Sequence, residues 1–333
     1  MHESLIIPPG CPPRLPGPLV ILTRPIAPTS PRHLAKCLIE SLSPARRPYE
    51  GHRALVQSTL RGLRAIGHPV ALNPPRLPDN TAAVLVCWGH DTIASTTALH
   101  RRHPFTLALA PTAIPNIPAH TPFLVEHLPD IDLFLPASAW QLNQFRNAHG
   151  ITPFEGRSMP WPAGVDPAFW SPTTARASRP RHLIIYKKAC HEGLLGQAVD
   201  TATAAGWSHQ IIHYGSYTPD SFRQALRRSS LAIFLSWWES QGIALAEAWS
   251  CDVPTLAWHS ERGSRYQYTA PYLSPATGNL YHDQAELAQF LALPDPCPAA
   301  NPRAWVASHM TDQASAALLL HHLSSHHRRR RPN

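Results

Sequence analysis

Short apolar runs separated by helix-length stretches recur along this chain. In the first half the runs are Leu19–Leu22, 68–72, 82–87, 105–109 and 132–136. Between them, 53–66 carries Leu55, Val56, Leu60, Leu63 and Ile66 at helical spacing, and 92–101 and 140–148 fill two further gaps. In the second half, 182–188, 209–214, Leu231–Leu235 and Thr255–Trp258 read as strands, with helices over 192–205 and Pro219–Arg228. A strand apolar on both faces belongs inside a sheet covered on both sides, and helices between such strands are crossovers of a parallel sheet. The pattern predicts an α/β fold. A long amphipathic helix is expected to start at Asn301 and Pro302 and to run through 316–320.

Composition narrows the picture. A chain of 333 residues predicts two domains, and 44% hydrophobic residues suffice for two cores. No apolar run reaches the length of a membrane span, and the start, MHESLIIPPGCPPRLPG, lacks the basic and apolar blocks of a signal peptide. The six cysteines are scattered without a C-x-x-C pair, with Cys87 and Cys251 read as buried thiols. That usage predicts a reducing, cytoplasmic setting. The net charge is +8, and the ending HHLSSHHRRRRPN concentrates it. Residues 321–333 are expected to be a disordered His/Arg tail, either solubilising or drawn weakly to an anionic membrane surface. No specific nucleic-acid partner and no metal site are expected. The D-x-D of Asp130-Ile131-Asp132 precedes a strand rather than closing one.

The densest chemistry lies in 231–259. The strand Leu231–Leu235 leads into a turn, Trp237 to Gln241, and Gly242 opens an apolar helix carrying Glu247, with seven residues between it and Glu239. Asp252-Val253-Pro254 then leads into Thr255–Trp258. In open α/β sheets, ligands bind outside the carboxyl ends of the strands. A helix start offers unpaired N–H groups and the positive end of the peptide dipole, so a phosphate suits it. Ser240 and Gln241 add polar side chains, and Gly242 lets the backbone approach a ligand. Glu247 lies about 6–8 Å along the helix, a distance suited to ribose hydroxyls. Only three lysines occur beside 26 arginines, and two of them, Lys187 and Lys188, stand together at a strand end. Lys is a compact point charge suited to a tight phosphate pocket.

The E-x7-E pattern, with Glu239-Ser240-Gln241-Gly242, Glu247-Ala248 and Asp252-Val253-Pro254, resembles the GT-B glycosyltransferases of the retaining, family-4-like group (glycosyl transferases group 1). The resemblance extends to Lys187-Lys188 after a strand, to Gly215-Ser216-Tyr217 after the next one, and to Gly164-Val165-Asp166 with Phe169-Trp170-Ser171-Pro172 upstream. It covers roughly residues 160–290. The amino-terminal half matches loosely: Arg24-Pro25-Ile26-Ala27-Pro28 stands where many such enzymes have a glycine-rich acceptor-side loop.

The resemblance implies a GT-B fold, two Rossmann-like domains facing each other across a cleft. Residues 1–172 are expected on the acceptor side and 173–320 on the donor side, with 172–180 as the linker. It implies transfer of a sugar from a nucleotide-diphosphate sugar to a glycan, lipid or small-molecule acceptor, with retention, without a metal and without a further cofactor. Lys187, Lys188 and Glu239 take the catalytic positions, and Ser240, Gln241, Gly242, Glu247 and Gly215 hold the donor. Two other classes stay open: a GT-B enzyme that is not a transferase, such as a sugar-nucleotide epimerase, and a non-catalytic binding module.

Overall fold

A computed structural model describes residues 12–26, 51–113, 122–150, 152–259 and 269–330. They form two compact units. One takes the described residues up to Gly164 together with those from Asp312 onward; the other takes Val165–Thr311. The boundaries fall at 164/165 and 311/312, rather than at the 172/173 and 320/321 read from the sequence. Cys11, Cys37, Ala27, Pro28 and the last three residues of the tail lie outside the described residues.

The first unit contains β1 (Leu19–Leu22), α1 (Gly51–Ala65), β2 (Val70–Leu72), β3 (Ala83–Val86), α2 (His90–His100), β4 (Thr106–Leu109), α3 (Pro122–Val125), β5 (Leu133–Phe134) and α4 (Ala139–His149). Its sheet is parallel, in the order β2-β1-β3-β4-β5. Val20, Leu22, Val84, Val86, Leu107 and Leu109 share one core, as their apolar runs require. The D-x-D is engaged structurally. Asp130 takes Arg101 at 2.6 Å, while Asp132 is buried, accepts the Leu107 N–H at 2.9 Å and faces His100 at 3.3 Å.

The second unit contains β6 (His182–Lys187), α5 (Glu192–Ala204), β7 (Ser208–His213), α6 (Pro219–Arg228), β8 (Leu231–Leu235), α7 (Ile243–Ser250), β9 (Thr255–Trp258), β10 (Gly278–Tyr281), α8 (Gln284–Ala292) and α9 (Pro302–His309). Its parallel sheet runs β10-β9-β8-β6-β7. Read from the other edge, each sheet has the same order: second strand, first, third, fourth, fifth. Both are therefore Rossmann-like, and each order reverses between its first and third strands. Arg179 fastens the approach to β6: its buried guanidinium donates to the carbonyls of Thr174, Ser229 and Cys251. Cys87, Cys251 and Cys297 are free and buried, and burial pushes each thiol up to about 12.

Two sequence expectations at the carboxyl end are corrected. The single helix expected from 301 is two, α9 and α10 (Asp312–Arg330), with the break at the unit boundary. The tail expected to be disordered is helical as far as Arg330, because Leu318, Leu319, Leu320 and Leu323 continue a buried stripe. This helix belongs to the first unit. Arg61 Nε donates to Asp312 at 2.6 Å, Trp161 Nε1 donates to the Ser315 carbonyl at 2.9 Å, and Ser315 Oγ donates to the Pro162 carbonyl at 2.7 Å. No described helix is long and apolar enough to cross a membrane.

Two outcomes test this docking. A Cβ at Gly62 of α1 would lie 2.0 Å from the Asp312 carbonyl oxygen. Gly62→Ala is therefore expected to cost about 1–3 kcal/mol in urea denaturation. An undocked helix would instead gain about 1 kcal/mol from alanine's helix propensity. His322 is buried against the Pro160 carbonyl at 3.2 Å, and burial pushes its imidazole down to about 4 from 6.5. The unfolded chain thus binds a proton that the folded chain refuses, so stability falls as pH drops from 6.5 to about 4 and levels off below. Comparing pH–stability curves, His322→Gln is expected to remove a loss on the order of 3 kcal/mol across that window.

Candidate functional site

The site grows from the reversal of strand order between β6 and β8. These strands pair in parallel with Lys187 beside Leu235, so both end at the same level. The chain leaving β6 is then tied to the chain leaving β8: Lys188 N–H donates to the Leu235 carbonyl, and Trp237 N–H donates to the Ala189 carbonyl, each at 2.9 Å. Ser236 Oγ closes the turn on the Trp238 carbonyl at 2.9 Å. This framework brings Lys188 to Glu239, Nζ to Oε2, at 2.7 Å. Glu239 is only 7% exposed. The Lys188 ammonium also lies 4.9 Å from the ring centre of Tyr214 and 6.0 Å from that of Trp238. Two aromatic faces and a carboxylate therefore confine one positive charge.

Gly242 caps α7 in the left-handed region, φ 75° and ψ 58°. A side chain there would be strained, and its Cβ would sit 2.6 Å from Leu245 Cδ1. Glycine thus lets Leu245 fill the core while the helix start stays bare of side chain. Gln241 is buried and Ser240 half-buried beside it. Glu247, one turn into α7, is 1% exposed.

Two tyrosines complete the surroundings. Tyr186 and Tyr217 hold each other OH to OH at 3.1 Å. Burial, the neighbouring Tyr217 and then Glu239 and Glu247 push the Tyr186 phenol well above the usual tyrosine range. Burial first, and Glu247 next, does the same to Tyr217. Both phenols stay protonated, and both sense both carboxylates, so the four groups share one neighbourhood. Gly215, at φ 79°, forms the bend that carries the chain from Tyr214 to Tyr217.

The two lysines part company. Strand side chains alternate between faces, so Lys187 leaves on the opposite side from Tyr186 and Lys188 and pairs with Glu192 at the start of α5. The structure brings together Lys188, Glu239, Ser240, Gln241, Gly242 and Glu247; it does not bring Lys187 to Glu239. Trp237 and Trp238 part in the same way: Trp238 faces Lys188, while Trp237 packs against Trp258 at 5.2 Å. Tyr186 and Tyr217 were not singled out from sequence. Tyr186 sits in an apolar strand and reads as core, and only the position of Tyr217 just after Gly215 hinted at a role. Among the described residues no cluster of three metal-ligating side chains occurs.

No protein-family model and no curated protein sequence matches this chain. Solved structures do. Sucrose-phosphate synthase from Thermosynechococcus elongatus matches with a TM-score of 0.62 at 12% identity, over 95% of this chain and all of that one. AviGT4, a glycosyltransferase involved in avilamycin A biosynthesis, matches at 0.53 and 15% identity over 94% and 98% of the two chains. The lipopolysaccharide outer core galactosyltransferase WaaB, in its apo form, matches at 0.53 and 10% identity over 92% and 99%. The fold is GT-B. At these identities the likeness is one of fold, and the residues of the site carry the functional argument.

The contrast between the lysines is testable. Lys188→Ala strands a buried carboxylate and is expected to lower stability by about 1–3 kcal/mol. Glu192→Gln breaks the Lys187 pair at its solvent-facing end and is expected to leave stability nearly unchanged. Equal losses in urea titrations would mean that the two lysines stand in equivalent surroundings.

Proposed function

We propose that the chain is a glycosyltransferase that takes a sugar from a nucleotide-diphosphate donor held on the Val165–Thr311 unit. The observation that carries the reading is the Lys188–Glu239 pair at the strand-order reversal, beside a bare helix start at Gly242. Such a reversal, outside the carboxyl ends of parallel strands, is where doubly wound sheets bind nucleotides. The fold likeness to glycosyltransferases and the E-x7-E resemblance point the same way.

In this reading the donor's diphosphate rests on the first turn of α7 and on Lys188. As the bond between sugar and diphosphate breaks, negative charge grows on the departing phosphate oxygen. The ammonium and the helix's N–H groups stand ready for that charge without rearranging, which is the most effective form of electrostatic catalysis. Lys188 exchanges its Glu239 partner for phosphate or bridges the two. Glu239 then faces the sugar, accepting hydrogen bonds from its hydroxyls and stabilising positive charge at the anomeric carbon. Glu247 accepts from the ribose hydroxyls, with Tyr186 and Tyr217 as protonated donors close by. Ser240, Gln241 and Gly215 line the donor. Lys187 stands outside this set because Glu192 holds it. Retention of configuration and independence from metal are carried over from the family resemblance.

Thermal shift against UDP, GDP, ADP and CMP and their common sugars tests the reading. The matching donor at a hundredfold excess over its dissociation constant is expected to add about 2.7 kcal/mol of stability. Glu247→Gln is expected to weaken that donor at least about tenfold, the worth of one good charged hydrogen bond. The reading fails if no nucleotide stabilises the protein, or if Glu247→Gln binds the donor as tightly as the wild type.

A further inference from the structure

Tyr214 borders the site but takes no part in the chemistry assigned to its neighbours. It is the first residue beyond β7, and the sheet sets its place. β6 and β7 pair in parallel with His213 beside Lys187, and the Tyr214 N–H donates to the Lys187 carbonyl at 2.9 Å. Tyr214 and Lys188 therefore leave neighbouring strands at the same level. Beyond Tyr214 the chain turns at once, at Gly215, and Ser216 ties back to the His213 carbonyl through its N–H at 3.1 Å and its Oγ at 2.7 Å. The backbone is fastened on both sides, yet the side chain is 45% exposed and lies outside the unit's buried core.

What the ring faces is a charge. The Lys188 ammonium lies over it, 4.9 Å from its centre, with Trp238 farther off at 6.0 Å. About 6 Å is the reach of a cation–ring contact, so Tyr214 is the better placed of the two. A ring and a carboxylate hold a cation differently. Glu239 takes one N–H of Lys188 and offsets its charge. A ring attracts the cation through its quadrupole but carries no net charge, so the ammonium keeps its positive field for an incoming anion. That matters for lysine, whose three donors ride on a flexible four-carbon stem.

The contact gains strength when a ligand arrives. The Lys188 side chain is 23% exposed, so water weakens its attraction to the ring. A diphosphate seated on the ammonium excludes that water, and a cation–ring contact is worth more when desolvated. An interaction stronger in the complex than in the free protein adds to affinity. Resting on the glycosyltransferase reading for the identity of the anion, we propose that Tyr214 is a positioning residue for the donor, its ring holding the Lys188 ammonium toward the diphosphate as the pair with Glu239 opens or becomes a bridge. Once that pair loosens, the ring keeps the head group from turning into solvent. The role requires the ring and not the hydroxyl.

Two variants of the full chain separate ring from bulk. Tyr214→Phe keeps the ring, while Tyr214→Leu covers the lysine stem with an apolar side chain that has none. The position is exposed, so both are expected to melt with the wild type. The chain has only three lysines, so protein carrying isotope-labelled lysine gives few side-chain resonances, and that of Lys188 is the one missing from Lys188→Arg. A ring over the head group shifts the adjoining methylene protons upfield. Without any nucleotide, that shift is expected to persist in Tyr214→Phe and to shrink in Tyr214→Leu. In calorimetric titrations with UDP, GDP and ADP, whichever binds the wild type is expected to bind Tyr214→Phe within about twofold and Tyr214→Leu about fivefold more weakly. The role of Tyr214 is overturned, with the donor site intact, by any of three results: an unmoved Lys188 resonance in Tyr214→Leu, wild-type affinity in Tyr214→Leu, or an equal loss of affinity in Tyr214→Phe. If none of the three nucleotides binds the wild type, the donor site falls and the role of Tyr214 with it.

Discussion

The ion pair between Lys188 and Glu239 ties the second unit's sheet to its chemistry. The two residues are far apart in sequence, and they meet because β6 and β8 pair in register and end together. Two backbone hydrogen bonds between the emerging chains then leave little freedom in the turn. A charge pair with one partner so deeply buried is a costly way to stabilise a fold, since desolvation cancels most of the Coulomb attraction. Its position at a strand-order reversal and beside a glycine-capped helix explains its presence better than stability does. The tyrosine pair fits the same logic. Two neutral phenols beside two carboxylates give hydrogen bonding without adding charge.

The two units share one strand order, and among the described residues it is the second that places a lysine–carboxylate pair at its reversal. The corresponding place in the first unit lies beyond Leu22 and Val86, where the chain continues through Thr23 and Cys87. There Thr23 N–H is held by the Asn73 side chain at 2.9 Å and Cys87 is a buried thiol. Nothing comparable to the lysine–glutamate pair is found at that point among the described residues. The first unit instead spends its long-range contacts on holding α10, through Arg61, Trp161 and Ser315.

Much of this was legible in the sequence because buried parallel strands write themselves as apolar runs. Leu231–Leu235 and Thr255–Trp258 are found where the runs predicted them, and the turn from Trp237 to Gly242 follows the motif. The misses have physical causes. Gly278–Tyr281 is an edge strand with a half-buried Asn279 and a more exposed Leu280, so its run is too broken to stand out. The gap at Met310 and Thr311 is hidden because apolar spacing continues across it into α10. The parting of Lys187 from Lys188 follows from strand alternation, but only once the end of β6 is known to within one residue.

The central claim is that the Lys188–Glu239 pair exists for a ligand. The most direct measurement compares the doubly neutral variant Lys188→Met with Glu239→Gln against the wild type, in both stability and affinity for the matching nucleotide sugar. Removing both charges together leaves neither stranded, so the variant is expected to fold within about 1 kcal/mol of wild type. Its donor affinity is expected to fall by more than about tenfold. A variant that folds normally and binds the donor as tightly as before would show that the pair serves only the fold.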